Sequence, residues 1–194
     1  IRTGHEVFTC YTDGGSKNTP GKRKIHGSGP SGAGGAIYAP DGSLILKFGI
    51  YVGDSSTNNK AEYTAIWRAW QIADIIGITD LQTYSDSQLC VNQLATVASS
   101  SVCKSMKPIF TMTKNMVKEF DQCTISHVKS HEKDTRMPQR RGNTLADLLA
   151  TTAMNSRSSF VNIVEPQRDS LDDIFTSHLV QEKLRLQSLP EQGN

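Results

Sequence analysis

The stretch Val7-Phe8-Thr9-Cys10-Tyr11-Thr12-Asp13-Gly14-Gly15 decides how this 194-residue chain is read. Residues 7–12 are almost all β-branched or aromatic and predict a strand. That strand carries no charge until Asp13, which places a carboxylate at the end of a strand in the middle of a sheet. Alone, Asp-Gly at a strand end is an ordinary turn signal. The choice between turn and site falls to the downstream residues.

After Asp13, residues 14–32 form a long glycine-rich, basic connection. Residues 33–39 and 43–52 then flank Pro40-Asp41-Gly42, a hairpin signal, so the first three strands are antiparallel. Asn58 and Asn59 suit a helix N-terminus. Ala61, Ala65, Ile66, Ala69, Ile72, Ala73 and Ile76 recur at helical spacing, and Gly77 closes the helix. A short strand over 81–85 and a short helix over 87–94 come next. Residues 95–105 are small and polar and predict a loop. A helix over 108–120 begins with Pro108, a strand covers 123–128, and 130–142 is a charged loop. Asn143 caps a last motif helix over 143–154. Strands alternating with helices in this half argue for parallel pairing. The expected class is α/β, a five-stranded mixed sheet with helices on both faces.

A composition shift at 155–159 divides the chain into an expected catalytic domain, 1–155, and a C-terminal extension, 156–194. The extension holds a possible strand over 160–164 and an acidic amphipathic helix from Leu171, with Ser170 and Asp173 as a capping-box variant. Residues 165–191 carry six acidic and three basic side chains, a net of −3, against +2 for the whole chain, so the remainder is +5. Its cations cluster at Lys17, Lys22, Arg23 and Lys24, and again at Lys129, Lys133, Arg136, Arg140 and Arg141. Such clusters suit a polyanion, or are simply solvated loops.

No apolar run approaches the ~20 residues that span a bilayer, and the N-terminal residues lack a secretion-signal core. Cys10, Cys90, Cys103 and Cys123 form no Cys-x-x-Cys pair, which argues against zinc and for free thiols. An intracellular location, cytoplasm or nucleus, is expected.

Three further carboxylates join Asp13. Glu62 follows Thr57-Asn58-Asn59-Lys60-Ala61 and shares a helix face with Ile66, Ala69 and Ala73; it is either part of a capping pair with Asn59 or a carboxylate on a buried stripe. Asp86, in Tyr84-Ser85-Asp86-Ser87-Gln88, follows a strand at the end where open α/β sheets bind ligands, and is also placed to cap the next helix. Asp147 lies in Asn143-Thr144-Leu145-Ala146-Asp147-Leu148-Leu149-Ala150, and the bland reading is an acidic residue in an early helix turn. Four hard oxygen donors suit Mg²⁺ or Mn²⁺, and a pair of such ions ~4 Å apart can activate water and stabilise a leaving oxygen in phosphodiester hydrolysis.

These motifs, with His131 in His127-Val128-Lys129-Ser130-His131, occur in an order that resembles the type 1 ribonuclease H family, the bacterial and eukaryotic kind also found fused to reverse transcriptases. The resemblance covers residues 7–152. It implies an endoribonuclease that cuts the RNA strand of RNA–DNA hybrids with two Mg²⁺ ions, or Mn²⁺ in their place, leaving 5′-phosphate and 3′-hydroxyl ends. By the same resemblance Asp13, Glu62, Asp86 and Asp147 are metal ligands, and His131 is a loop histidine linked to proton transfer or product release. Asn58 and Gln88 match positions that touch the hybrid's minor groove, where the 2′-hydroxyl is read. Gly14 and Gly15 let backbone approach, and Asn18 or Thr19 matches a further contact. His127 is assigned a structural role.

Three departures from the family pattern stand out. Ser130 replaces glycine before His131. Residues 21–32 are longer than usual and basic. Residues 95–105 contain no aromatic residue and one lysine, Lys104, where members with a basic handle have a Trp- and Lys-rich helix. The chain thus resembles handle-less members such as those attached to reverse transcriptases, which implies that a fused or partner domain supplies grip on the hybrid. Two other functions compete: a DNA nuclease or strand transferase of the same fold, and a catalytically silent hybrid-binding module. Fold alone licenses none of them.

Overall fold

The computed structural model of the chain describes residues 6–17, 29–96, 102–129 and 138–164. Its first strand, β1 (Phe8–Ser16), runs past Asp13 through both glycines. It pairs antiparallel with β2 (Gly29–Tyr38), with Asp13 opposite Gly34 and Gly14 opposite Ala33. β2 in turn pairs antiparallel with β3 (Leu44–Ser56). The hairpin between them closes at Pro40-Asp41-Gly42: the Ala39 amide donates to the Ser43 carbonyl at 2.8 Å, and Asp41 Oδ1 accepts from the Ser43 amide at 2.9 Å.

β2 starts four residues ahead of the expected strand, inside the stretch expected to be a connection. The reason is packing rather than propensity. A Cβ on Gly34 would sit 2.4 Å from the Ala146 carbonyl oxygen, and one on Gly32 2.1 Å from that of Ala150. Bare glycines here let a helix backbone lie almost directly on the sheet. Pairing on both sides then satisfies the strand's own polar groups.

α1 (Asn58–Ile75) is capped by Thr57, whose Oγ1 accepts from the Lys60 amide at 3.2 Å, and not by the two asparagines. It is buried continuously from Ala61 to Trp70. β4 (Asp80–Ser85) pairs parallel with β1, and Trp70 Nε1 donates to Thr83 Oγ1 at 2.8 Å to tie α1 to it. α2 (Gln88–Ala95) and α3 (Lys107–Met116) come next, the latter extended by a 3₁₀ turn, Val117–Glu119. β5 (Gln122–His127) pairs parallel with β4. Ile37, Leu46, Phe48, Ile66, Ile72 and Leu81, all almost fully buried, make the core between the sheet and the first helix.

α4 (Pro138–Ser156) begins five residues earlier than expected. Pro138 is its first residue, where proline's missing amide costs nothing. Asn143 therefore lies inside the helix, buried, and is not its cap. The last strand, β6 (Phe160–Ile163), adds antiparallel to β3, and the full order is β5-β4-β1-β2-β3-β6. The sheet thus has six strands, the expected five plus an edge strand drawn from beyond the composition shift. Among the described residues no helix is long and apolar enough to cross a membrane, and the four cysteines are free thiols.

Candidate active site

Side chains alternate across a strand, so Asp13 points to the face covered by α4, whereas Gly14 points toward α1. A Cβ on Gly14 would lie 2.3 Å from the Ala61 carbonyl carbon and the Glu62 amide nitrogen. Only glycine lets the first turn of α1 close on β1 here, and that closure brings Glu62 to Asp13. Gly15, by contrast, faces open space.

Asp86 follows the C-terminal end of β4, beside β1. The capping task that competed for it belongs to Ser87, whose Oγ accepts from the Cys90 amide at 3.4 Å. The Asp86 carboxylate is thereby free to face its neighbours. Likewise, the capping reading of Glu62 gives way, since Thr57 caps α1 and Glu62 is 4% exposed. The early-turn reading of Asp147 also fails, because α4 starts at Pro138.

One carboxylate oxygen from each of Asp13, Glu62 and Asp86 lies within 4.8 Å of the other two. Burial drives the Asp13 carboxyl up to about 8, reinforced by the charges of Asp86 and Asp147. Glu62 rises well above the ordinary range for the same reasons, burial first and then Asp13 and Asp86. Burial also raises Asp86, opposed by a hydrogen bond from Asn143. A hydrogen bond with Asp147 further favours the protonated form of Asp13, and one with Asp13 favours the ionised form of Asp86. The amide of Gly14 donates to the Asp13 and Glu62 carboxylates and partly offsets the crowding. Asp147 reaches the group from α4 and is itself exposed.

A concentration of negative charge in a buried place is costly unless something positive joins it. Glu62 Oε2, Asp86 Oδ1 and Asn143 Oδ1 are buried without a hydrogen-bond partner among the described residues. Hard, unpartnered oxygens around one point suit a divalent cation such as Mg²⁺. Asp13, Glu62 and Asp86 could hold it, with Asp147 at the open side.

Two supporting residues complete the site. Asn143, a helix cap by residue type, turns its amide to Asp86 instead. The signal lies in its spacing, since Asn143 is four residues before Asp147 and shares its helix face. His127, at the end of β5, places Nε2 3.2 Å from the Asp86 carbonyl oxygen and steadies the backbone there. Asn58 and Gln88 are exposed at the starts of α1 and α2, and Gln88 Nε2 donates to Asn92 Oδ1 at 2.8 Å. His131, Asn18, Thr19, Lys22, Arg23, Lys24, Lys133 and Arg136 lie outside the described residues.

A mixed sheet with carboxylates gathered where β1 and β4 lie side by side defines a ribonuclease H-like protein, and comparison with known proteins agrees. A family model described as reverse transcriptase-like matches residues 18–153. A ribonuclease HI of Halobacterium salinarum is 30% identical over 146 residues, which is 75% of this chain and 63% of the relative. This chain therefore spans slightly less than two-thirds of that relative's length. The crystal structure of RNase H1 from the same archaeon superposes with a TM-score of 0.60 at 26% identity, covering 77% of this chain and 98% of that one. LC11-RNase H1, solved in complex with an RNA/DNA hybrid, gives a TM-score of 0.60 at 25% identity, with 77% and 98% coverage. The chain belongs to the type 1 ribonuclease H family.

Proposed function

We propose that this chain is an endoribonuclease that hydrolyses the RNA strand of RNA–DNA hybrids, using two divalent ions held by Asp13, Glu62, Asp86 and Asp147. The observation that carries this reading is the convergence of three carboxylates within 4.8 Å, with buried oxygens that lack partners. The hybrid as substrate is supported by the relatives, one of which was solved with an RNA/DNA hybrid.

When bound, two Mg²⁺ or Mn²⁺ ions supply an activated water on one side of the scissile phosphate and charge stabilisation of the leaving oxygen on the other. The chain's own residues arrange this. Glu62 and Asp13 are fixed by the Gly14 contact between β1 and α1. Asn143 orients Asp86. Asp147, the exposed member, faces the side from which a phosphate enters. His131 moves a proton or assists product release, and Asn58 and Gln88 meet the minor groove, where the 2′-hydroxyl marks the RNA strand. The products carry 5′-phosphate and 3′-hydroxyl ends. Residues 1–155 form the catalytic domain, the extension 156–194 adds β6 to its sheet edge, and a fused or partner nucleic-acid-binding domain adds grip.

The experiment is incubation with matched RNA–DNA, RNA–RNA and DNA–DNA duplexes, with Mg²⁺ or with EDTA. Cleavage confined to the RNA of the hybrid, and to the Mg²⁺ arm, is expected. Cleavage of duplex DNA would select the DNA-nuclease reading. Hybrid binding without cleavage, and without Mg²⁺ uptake in a titration, would select the silent module.

A further inference from the structure

Residues 87–118 hold four lysines, Lys104, Lys107, Lys114 and Lys118, and no acidic residue. That is a net of +4 in a chain of +2, so all other residues together sum to −2. Lys114 is engaged: its Nζ donates to the Thr96 carbonyl at the end of α2 and lies 5.7 Å from the centroid of the Phe110 ring. It braces α3 against α2. Lys104, Lys107 and Lys118 are exposed, and none of them pairs with a carboxylate of the described residues. Lys104 lies in the 3₁₀ turn Lys104–Met106 that leads into α3, and Lys107 is the first residue of α3. Cations at a helix start oppose its dipole, and the first turn of α3 has no acidic residue to offset them. Local helix stability therefore does not account for these two lysines.

Their place in the fold does. α1 and α3 pack together, and both start from the end of the sheet where the carboxylates gather. α1 leads away from Glu62 to the start of β4. α3 leads away to the start of β5, where the Gln122 amide donates to the Thr79 carbonyl at 3.1 Å, at the opposite end of β4 from Asp86. The Phe110 ring meets the Tyr63 ring edge-on with centroids 6.1 Å apart, and Tyr63 directly follows Glu62. Lys107 is one turn ahead of Phe110, about 4.5 Å nearer the site end. That puts it level with the first turn of α1, where Asn58 is exposed. Lys118 lies roughly 16 Å further along, at the far end of α3 and next to Glu119.

We infer that Lys104 and Lys107 hold backbone phosphates of the bound duplex beyond the scissile position, so that the start of α3 supplies grip from within the chain. The inference rests on the hybrid as substrate and deepens that reading. A duplex carries one negative charge for roughly every 1.7 Å of its axis. One that reaches the carboxylates past the first turn of α1 therefore brings further phosphates to the neighbouring start of α3. Such contacts position a duplex without reading its sequence. Lys118 bears the same charge on the same helix but at the wrong end, which separates a local contact from the effect of net charge.

The test is fluorescence anisotropy of the full chain with a labelled hybrid of about two helical turns, in EDTA across a salt series, beside steady-state cleavage in Mg²⁺. Lys104→Gln with Lys107→Gln should raise Kd about 10-fold at moderate salt and lower the log–log salt slope by about 1.8, or ~0.9 per lost phosphate contact. KM should rise with Kd while kcat changes little, and arginine at both positions should restore binding. Lys107→Gln alone should weaken binding more than Lys118→Gln, although each removes one charge. Unchanged melting of every variant is the control for folding. A double variant with the Kd and slope of the unsubstituted chain would overturn the inference, and so would equal losses from Lys107→Gln and Lys118→Gln. The expected Kd shifts in a chain that cuts no hybrid would uphold the binding surface and remove the nuclease reading. Hybrid cleavage with no Kd shift would do the reverse.

Discussion

Asp13→Asn offers a test of the site that does not depend on turnover. In the metal-free protein, burial and the charges of Asp86 and Asp147 lift the Asp13 carboxyl from 3.8 to about 8. A carboxyl raised on folding disfavours the folded state once it ionises. The cost is absent below the unfolded value near 3.8, grows as pH rises, and is complete above about 8. Four units at ~1.4 kcal/mol each set a ceiling of about 6 kcal/mol. Neighbouring carboxyls share the proton, so about 2–4 kcal/mol is the expected gain when asparagine replaces aspartate. For a chain of this size that is a rise in Tm of roughly 5–15 °C.

The assay is thermal unfolding by circular dichroism, in EDTA, at pH 4.5, 6 and 8. Asp13→Asn should exceed the unsubstituted protein only slightly at pH 4.5 and increasingly toward pH 8. Adding Mg²⁺ should stabilise the unsubstituted protein and leave the variant little changed, and the variant should cleave almost no hybrid. A variant no more stable at pH 8, or a gain independent of pH, would refute the electrostatic account of this cluster.

Other expected outcomes rest on single contacts. Gly14→Ala forces a Cβ to 2.3 Å from the α1 backbone; it should cost about 1–3 kcal/mol in denaturant unfolding and, by moving Glu62, lower kcat ~10²-fold. Asn143→Ala removes the donor to Asp86; the Mg²⁺ concentration needed for half-maximal activity should rise about 10–100-fold, and an unchanged Mg²⁺ dependence would remove Asn143 from the site. His131→Ala should slow cleavage ~10²-fold without abolishing it, whereas loss as complete as that of Asp13→Asn would give this histidine a central role. A chain ending at Val164 should keep its activity, while one ending at Ser158 loses β6 and the half-buried Phe160, Val161 and Ile163. The Ser158 version should melt at least several degrees lower, and equal melting of the two would show that β6 contributes nothing to the sheet.

Much of the fold is legible in the sequence because local signals and tertiary demands agree. The β-branched run of β1, the Pro-Asp-Gly hairpin and the apolar spacing of α1 each survive in the structure within a few residues. The illegible parts depend on two elements meeting. The strand expected over 33–39 begins instead at Gly29, and nothing local in residues 29–32 suggests it; α4 comes so close to β2 that a side chain on Gly32 or Gly34 would collide with the α4 backbone. Asn143 resembles a helix cap because asparagine favours that place. The real start of α4 at Pro138 depends on Gly142 packing on Tyr11, so that the helix continues across both residues. β6 is legible as a short strand over 160–164, but its partner is not: it lies past a change in composition and joins the sheet because β3 offers it a free edge.

The carboxylates show the same division. Each is identifiable by residue type and motif, but every one has a bland alternative that only three-dimensional competition removes. Thr57 caps α1, so Glu62 has no capping duty and remains among its buried neighbours. Ser87 caps α2 and releases Asp86. Asp147 sits well inside α4, too far from its N-terminus for the helix dipole to account for it. With each local use already filled by another residue, four acidic side chains are left facing one another. Folding alone would select against that arrangement, because gathering them raises Asp13, Glu62 and Asp86 against ionisation. The cost is tolerable only if the native state gains a cation that the unfolded chain cannot hold. That linkage makes the instability of the metal-free cluster and its affinity for metal two measures of one arrangement.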